Sequence, residues 1–304
     1  MRPLSTGPRH IDVCVCTYRR PDLLRRLLEA LCRLDTAGLF TYSIVIADND
    51  RLESSRTLVS AFADAARLPI TYCVEPRQNI ALARNKAVQH ATGDFLAFID
   101  DDEFPTRTWL LKLFETCRRY EADGALGPVK PHFDETPPQW VVDGGFYARP
   151  TYPTGFVIDW RKGRTGNLLI DRRVVAGDAP PFRPEFLTGE DQDFFRRMIA
   201  RGHVFVWCDE AVAYEVVPPV RWGRIFMLRR ALLRGRISLL HPTFGLSAIV
   251  KSLVAIPMYL VLLPFALLTG QSRFMKCMVK LFDHAGRLLA LAGINPVAEP
   301  YVTE

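Results

Sequence analysis

From Val216 to Phe282 the chain contains no Asp or Glu. That stretch opens with Arg221, Arg224, Arg229, Arg230, Arg234 and Arg236 and continues into an apolar run from Ala248 to Leu268. The formal net charge of +6 is therefore mostly a property of the C-terminal third. Basic residues beside an apolar run suit an anionic membrane surface. Nucleic acid is not an expected partner, because the aromatics are not interleaved with the arginines as a base-stacking surface requires. The polar, basic start Met1–His10 has no apolar core, so a secretory signal is not expected there and the catalytic part is expected to stay in the cytoplasm. The seven cysteines form no CxxC pair, which argues against a disulfide framework or a cysteine metal site. Cys14 and Cys16 read instead as small hydrophobes in a reducing compartment. No internal repeat or low-complexity segment is evident.

What is present is an alternation. Short β-prone runs at Ile11–Cys16, Tyr42–Ala47, Ile70–Val74 and Phe95–Ile99 are separated by helical patterns. In the first of these Leu23, Leu24, Leu27, Leu28 and Leu31 recur at helical spacing behind Pro21 and Asp22. Further helices are expected over about 54–66 and 81–90. Strands alternating with helices predict an α/β fold with a doubly wound, mostly parallel sheet. In such sheets ligands sit at the carboxyl ends of the strands, where Thr17, Asp48 and Asp100 fall. Pro128–Gly166, rich in Pro, Gly and aromatics, reads as loops over that rim, and Asp178–Pro184 as a second turn-rich stretch.

Two acidic groups carry the chemistry. Asp100-Asp101-Asp102-Glu103 directly follows a strand of buried type. Carboxylates this close repel one another unless a cation is present, and hard oxygen ligands suit Mg2+ or Mn2+ bridging to a diphosphate. An acidic loop or helix cap is the plainer reading of the same run. Gly189-Glu190-Asp191-Gln192-Asp193 opens a later helix. Acids there complement the helix dipole, and one of them could also take the proton of an attacking hydroxyl.

These elements, in this order, resemble the family 2 glycosyltransferases with the GT-A, Rossmann-like fold. The likeness runs through Cys16-Thr17-Tyr18-Arg19-Arg20-Pro21, Asp48-Asn49, Asn79 through Arg84-Asn85, Gly93 through Asp102, and Gly189-Glu190-Asp191, over roughly residues 10–215. Within the family it is nearest to bacterial transferases of the succinoglycan type, which build exopolysaccharide repeats on a lipid carrier. The resemblance implies donor-binding roles for Thr17, Arg19, Asp48, Arg84, Asp100 and Asp101. Asp100 and Asp102 match the DxD motif, with Asp102 on the metal and Asp100 on ribose or metal. Asp191 matches the general base, with Glu190 orienting acceptor or sugar. Thr165-Gly166-Asn167 matches a motif bordering the donor sugar, so Asn167 joins the donor site. Many relatives carry His at the position of Glu215; glutamate is also an oxygen ligand, so the implied metal set is Asp102, Asp100 and Glu215. The implied reaction is inverting transfer from a nucleotide diphosphate sugar, with UDP the carrier on family grounds, to a lipid-linked or polysaccharide acceptor in cell-surface glycan synthesis. A polyprenyl-phosphate sugar synthase and a nucleotidyltransferase are the alternatives. The second of these is expected to carry a glycine-rich N-terminal loop, and Thr17–Asp22 has no glycine.

The division expected is a catalytic domain over 1–220 and a basic, hydrophobic, membrane-associating helical region over 221–304. Ile249–Leu268 is long enough to span a bilayer, at about 20 residues. Pro257 and Pro264 are expected to kink it into short pieces, so a re-entrant or interfacial hairpin stands beside a true span as the reading of this segment. Phe274–Ile294, with Lys276, Lys280 and Arg287 among apolar residues, resembles a helix lying in the interface. Trp140 and Trp160 read either as sugar-stacking rings or as buried aromatics. The expected location is the cytoplasmic face of the cell membrane.

Overall fold

The computed structural model describes residues 9–66, 68–177, 180–186, 189–240 and 244–297. Met1–Pro8 of the N-terminal reading and Asp178 and Ala179 of the turn-rich stretch lie outside the described residues. The chain forms two compact units. The first runs up to Pro131 and resumes at Arg149–Val216; the second takes His132–Ala148 and the chain from Val217 on.

In the first unit the strands are β1 (Arg9–Thr17), β2 (Phe40–Asp48), β3 (Ile70–Val74), β4 (Phe95–Asp100), β5 (Glu103–Pro105), β6 (Gly124–Leu126), β7 (Val129–His132), β8 (Asn167–Asp171), β9 (Phe205–Trp207) and β10 (Ala213–Val216). The helices are α1 (Pro21–Leu31), α2 (Arg56–Ala65), α3 (Ile80–His90), α4 (Trp109–Arg119) and, after a short helix of the second unit, α6 (Glu190–Ala200). Seven strands form one sheet in the order β3-β2-β1-β4-β8-β6-β9. Neighbours are parallel except at β8, which runs antiparallel to both β4 and β6. A smaller sheet has the order β5-β10-β7.

The sheet is buried on both faces, as a parallel sheet with crossover helices must be. Along β4 the side chains alternate: Ala97 and Ile99 enter one core, Leu96 and Phe98 the other. Helix α1 begins with Pro21, whose fixed φ suits the first helical position, and has Asp22 in its first turn. Its Leu24, Leu27, Leu28 and Leu31 are fully buried, each contributing roughly 1.5–3 kcal/mol. Chain order reverses at β1: β2 and β3 lie to one side and β4 to the other. The crevice beyond the carboxyl ends of β1 and β4 is therefore the switch point where doubly wound sheets hold ligands. Thr17 ends β1, Asp48 ends β2 and Asp100 ends β4.

Cys14 is buried and Cys16 half-buried, in accord with their reading as small hydrophobes. The Pro-rich stretch 128–166 is not all loop: it contains β7, a short helix and a 3-10 turn at Trp160–Lys162.

The second unit comprises α5 (Gln139–Gly144), α7 (Pro219–Trp222), α8 (Arg224–Ile237), α9 (Leu246–Leu268) and α10 (Gln271–Leu291). Trp140 is half-buried and packs edge to face with Phe146, 5.6 Å between centroids. Two glycines let α8 and α10 cross closely. A Cβ on Gly235 would lie 2.1 Å from the Asp283 carbonyl oxygen, and one on Gly286 2.3 Å from that of Leu232. Several of the arginines are consumed inside this unit. Arg221 is buried, Arg234 makes two bonds of 2.7 and 2.8 Å to Asp283, and Arg236 donates to the Val297 carbonyl.

Helix α9 corrects the expectation of broken pieces: Pro257 and Pro264 both lie inside one continuous helix of 23 residues. Each proline removes one backbone donor, but its fixed φ is helical, so the helix can bend at these points without ending. The helix is long and apolar enough to cross a membrane by length and composition. Val250, Leu253, Val254, Val261 and Phe265 are exposed along it.

Candidate active site

Three backbone-anchored loops meet at the switch point. At the end of β2, Asp48 is fully buried and accepts from the backbone N–H of Asp50 and Ser55 and from the Tyr72 hydroxyl, at 3.0, 3.0 and 2.7 Å. Asn49 donates to the carbonyls of Glu75 and Arg77 and accepts from Asn79 N–H. Asp48-Asn49 thus ties the exits of β2 and β3 together. Arg19, with a positive φ of 55°, pairs with Asp50 at 3.0 Å, a contact that holds the Asp50 carboxyl below its usual range.

The Asn79…Arg84-Asn85 pattern is explained by the positions of its side chains. Asn79 caps α3 by accepting from Ala81 and Leu82 N–H, and its amide donates to the Pro184 carbonyl. Asn85 clasps Phe182 in both directions, donating to its carbonyl at 2.6 Å and accepting from its N–H at 2.9 Å. Phe182 is itself fully buried against Phe98 and Phe194. Two asparagines on α3 therefore hold the segment that leads into Glu190 and Asp191. Arg84, buried, pairs with Glu190 and lies 3.5 Å from Asp100. One guanidinium thus links the end of β4 to the start of α6, 106 residues from Arg84 in sequence. Burial raises the Glu190 carboxyl and Arg84 opposes that rise.

Thr17 donates to Asp101 at 2.9 Å, and Arg20 reaches Asp101 and Asp102, each at 3.4 Å. Burial pushes the Asp101 carboxyl up to about 7, and the neighbouring Asp102 charge adds to the rise. Asp100 is the most open of the three, its side chain 43% exposed beside Asp101 at 8% and Asp102 at 12%. Asp191 is half-buried at the α6 N-terminus, its carboxylate accepting from Gln192 N–H. Asp193, two residues on, is spent on structure: it is buried and paired with Arg197 at 2.8 Å and Arg196 at 3.1 Å.

Asn167 is saturated by protein. It accepts from the Trp109 indole N–H and donates to the carbonyls of Pro128 and Ala211. Gly166 beside it explains itself: a Cβ there would lie 2.8 Å from Glu103 Oε1 and 3.0 Å from Asp100 Oδ2. The close approach of two carboxylates to this backbone requires glycine. Trp160 is half-buried and carries the Arg161 guanidinium over its ring at 4.4 Å.

Among the described residues no set of three His, Cys, Asp or Glu groups gathers to hold a metal ion. Glu215 lies on β10. The antiparallel register of β5 and β10 sets it opposite Glu103, and Arg149 pairs with Glu215 while lying 3.9 Å from Glu103 Oε1. Asp100 and Asp102 retain the chemistry of a hard-cation site, being oxygen donors in a crowded anionic cluster that a cation would relieve.

Glu103 was legible only as the end of the acidic run, and Arg149 not at all. Glu103 closes the acidic run, yet among the described residues neither of its buried carboxylate oxygens has a hydrogen-bond partner, and burial raises its pKa well above the usual carboxylate range. Arg149 sits in the aperiodic Pro-rich stretch, where no sequence pattern marks it.

Residues 12–178 match the family described as "Glycosyl transferase family 2". The chain is 36% identical over 229 residues to the succinoglycan biosynthesis protein ExoM of Rhizobium meliloti (strain 1021), covering 75% of this chain and 73% of that protein. It is 21% identical to glycosyltransferase AglE of Haloferax volcanii, covering 71% and 69%. Among solved structures it resembles S. aureus TarS 1-349 in complex with UDP-GlcNAc, with a TM-score of 0.54 at 16% identity, covering 93% and 92%. The match to a longer TarS chain, with a TM-score of 0.55 at 15% identity, spans 92% of this chain and 55% of that one.

Proposed function

Because this chain belongs to glycosyl transferase family 2 and is a glycosyltransferase of the GT-A fold, we propose that it moves a sugar from a UDP-sugar to a saccharide acceptor with inversion at the anomeric carbon. The observation that carries this reading is the Arg84 bridge, which holds Asp100 at the donor end and Glu190 beside Asp191 at the acceptor end. The UDP-GlcNAc complex of TarS supports a UDP donor.

In this reading the half-buried Asp191 takes the proton of the attacking hydroxyl. That hydroxyl oxygen bonds to the anomeric carbon as the bond from that carbon to the diphosphate oxygen breaks on the opposite face. Glu190, fixed by Arg84, orients the hydroxyls around the reacting carbon. Thr17, Arg19 and Asp48 frame the nucleotide end, with Asp48 acting through the loop it staples. Asp102 and Asp100 are the residues that would hold the divalent cation family members generally use. Such a cation supplies charge neutralisation for the departing diphosphate. A lipid-linked acceptor at the cytoplasmic membrane face, in exopolysaccharide assembly, is favoured by the exposed apolar α9 and by the similarity to the succinoglycan biosynthesis protein ExoM.

The test is a screen of nucleotide sugars against the full chain with Mg2+ or Mn2+, reading slow hydrolysis without acceptor. Turnover of a UDP-sugar is expected. Silence with every UDP-sugar, or turnover only of another nucleotide's sugar, would remove the donor assignment.

A further inference from the structure

Next to the carboxylate cluster the first unit holds a cavity of about 130 Å³. Tyr152 and Trp207 give it aromatic walls, and Arg149, Arg161, Lys162 and Arg164 face it. Among the described residues lining it there is no Asp or Glu. Two of the four cations are compensated: Arg149 by Glu215, and Arg161 by Asp159 at 3.6 Å. The other two are not. Lys162 stands over the rings of Tyr152 and Phe156 at 5.7 and 5.5 Å, which attract its charge but leave its N–H donors unused. Arg164 has no acceptor or counter-ion among the described residues.

These cations sit on a fixed turn. Asp159 caps the 3-10 segment Trp160–Lys162 by accepting from Arg161 N–H. Gly163 follows, so close to α6 that a Cβ would lie 2.2 Å from the Phe195 ring. Helix α6 also carries Glu190 and Asp191 at its first turn. The turn bearing the cations is thus registered against the element bearing the expected base. Tyr152 stacks on Phe156 at 4.7 Å and meets Trp207 edge to face at 5.3 Å, so the aromatic wall is fixed as well.

We propose that this pocket is an acceptor subsite that takes an anionic group, a phosphate or a carboxylate borne by the acceptor saccharide. The inference rests on the glycosyltransferase reading and adds to it the charge of the acceptor. Lys162 and Arg164 supply the charge-assisted hydrogen bonds, with Arg164 suited to bidentate contact with either group. The aromatic wall carries the adjoining sugar ring.

The test titrates the full chain, with UDP saturating the donor site, using methyl phosphate, methyl glucuronoside and methyl glucoside as probes. At least one anionic probe is expected to bind about tenfold or more tightly than the neutral glucoside. A preference for methyl phosphate assigns the phosphoryl source, and a preference for the glucuronoside assigns an acidic sugar. In Lys162→Gln/Arg164→Gln the preference should vanish while UDP affinity is kept, which separates this pocket from the donor site. Equal binding of charged and neutral probes by a protein that binds UDP would overturn the proposal, as would a preference the double variant retains. Failure of the wild-type chain to bind UDP at all would strike the donor reading on which the proposal stands.

Discussion

At the scale of single residues, Asp191 and Arg84 make separable predictions. Among the described residues Asp191 makes no ion pair and accepts a local backbone N–H, so Asp191→Asn should leave UDP affinity near that of the wild type. Turnover should fall by about a hundredfold or more, the scale of a lost general base. A collapse of UDP affinity with turnover intact would make Asp191 a binding residue instead. Arg84 is buried against Glu190. Removing one partner of a buried pair leaves an uncompensated charge at a cost of roughly 3–5 kcal/mol. Arg84→Ala should lower the melting temperature steeply, and Arg84→Ala with Glu190→Gln should recover part of the loss. No recovery in the double variant would show that the pair is not the source of the cost.

Asp101 gives the pH dependence. Its carboxyl is raised to about 7 by burial and by Asp102. A carboxyl whose folded value lies above its unfolded one, about 3.9, favours the folded state while it is protonated. That contribution is intact below about pH 4 and is lost as pH rises through about 7. Asp101→Asn keeps an acceptor for Thr17 and carries no charge, so without added cation its melting temperature should gain on the wild type between pH 5 and pH 8, by a few degrees. Parallel melting profiles across that range would contradict the assignment.

At the scale of elements, the strand ends and the helices α1, α3 and α6 were legible, because a buried strand shows as an apolar run and a surface helix as a periodic stripe. Asn79, Arg84 and Asn85 were recognisable as a pattern, but not their task of clasping Phe182, Pro184 and Glu190, because those partners lie 97 to 106 residues away. The same limit hid Arg149, whose partner Glu215 is 66 residues on. Proline rules suited to soluble helices also misjudged α9, where both prolines are accommodated in one helix. If α9 enters a membrane, charges on its exposed face should oppose this, at about 2.5–3.5 kcal/mol for each Asp near a span centre. Val254→Asp with Val261→Asp should shift the full chain from the membrane to the soluble fraction while UDP binding persists. Retention of the double variant in the membrane fraction would place the anchor elsewhere.

At the scale of the whole molecule, the alternation of strands and helices announced an α/β, mostly parallel sheet, whereas the crevice at β1 and β4 depends on a strand order that no local pattern records. The two structural units divide the chain after Val216 and also assign His132–Ala148 to the second unit, a long-range association that no local pattern records. The central claim concerns what happens in the first unit: a single displacement at an anomeric carbon, with Asp191 as base and no covalent intermediate. Proton NMR of the full chain turning over a UDP-sugar, read at the anomeric signal before the product equilibrates, tests it most directly. An inverting transfer gives a first-formed product of anomeric configuration opposite to the donor, at a rate that collapses in Asp191→Asn. A product that keeps the donor's configuration would contradict it.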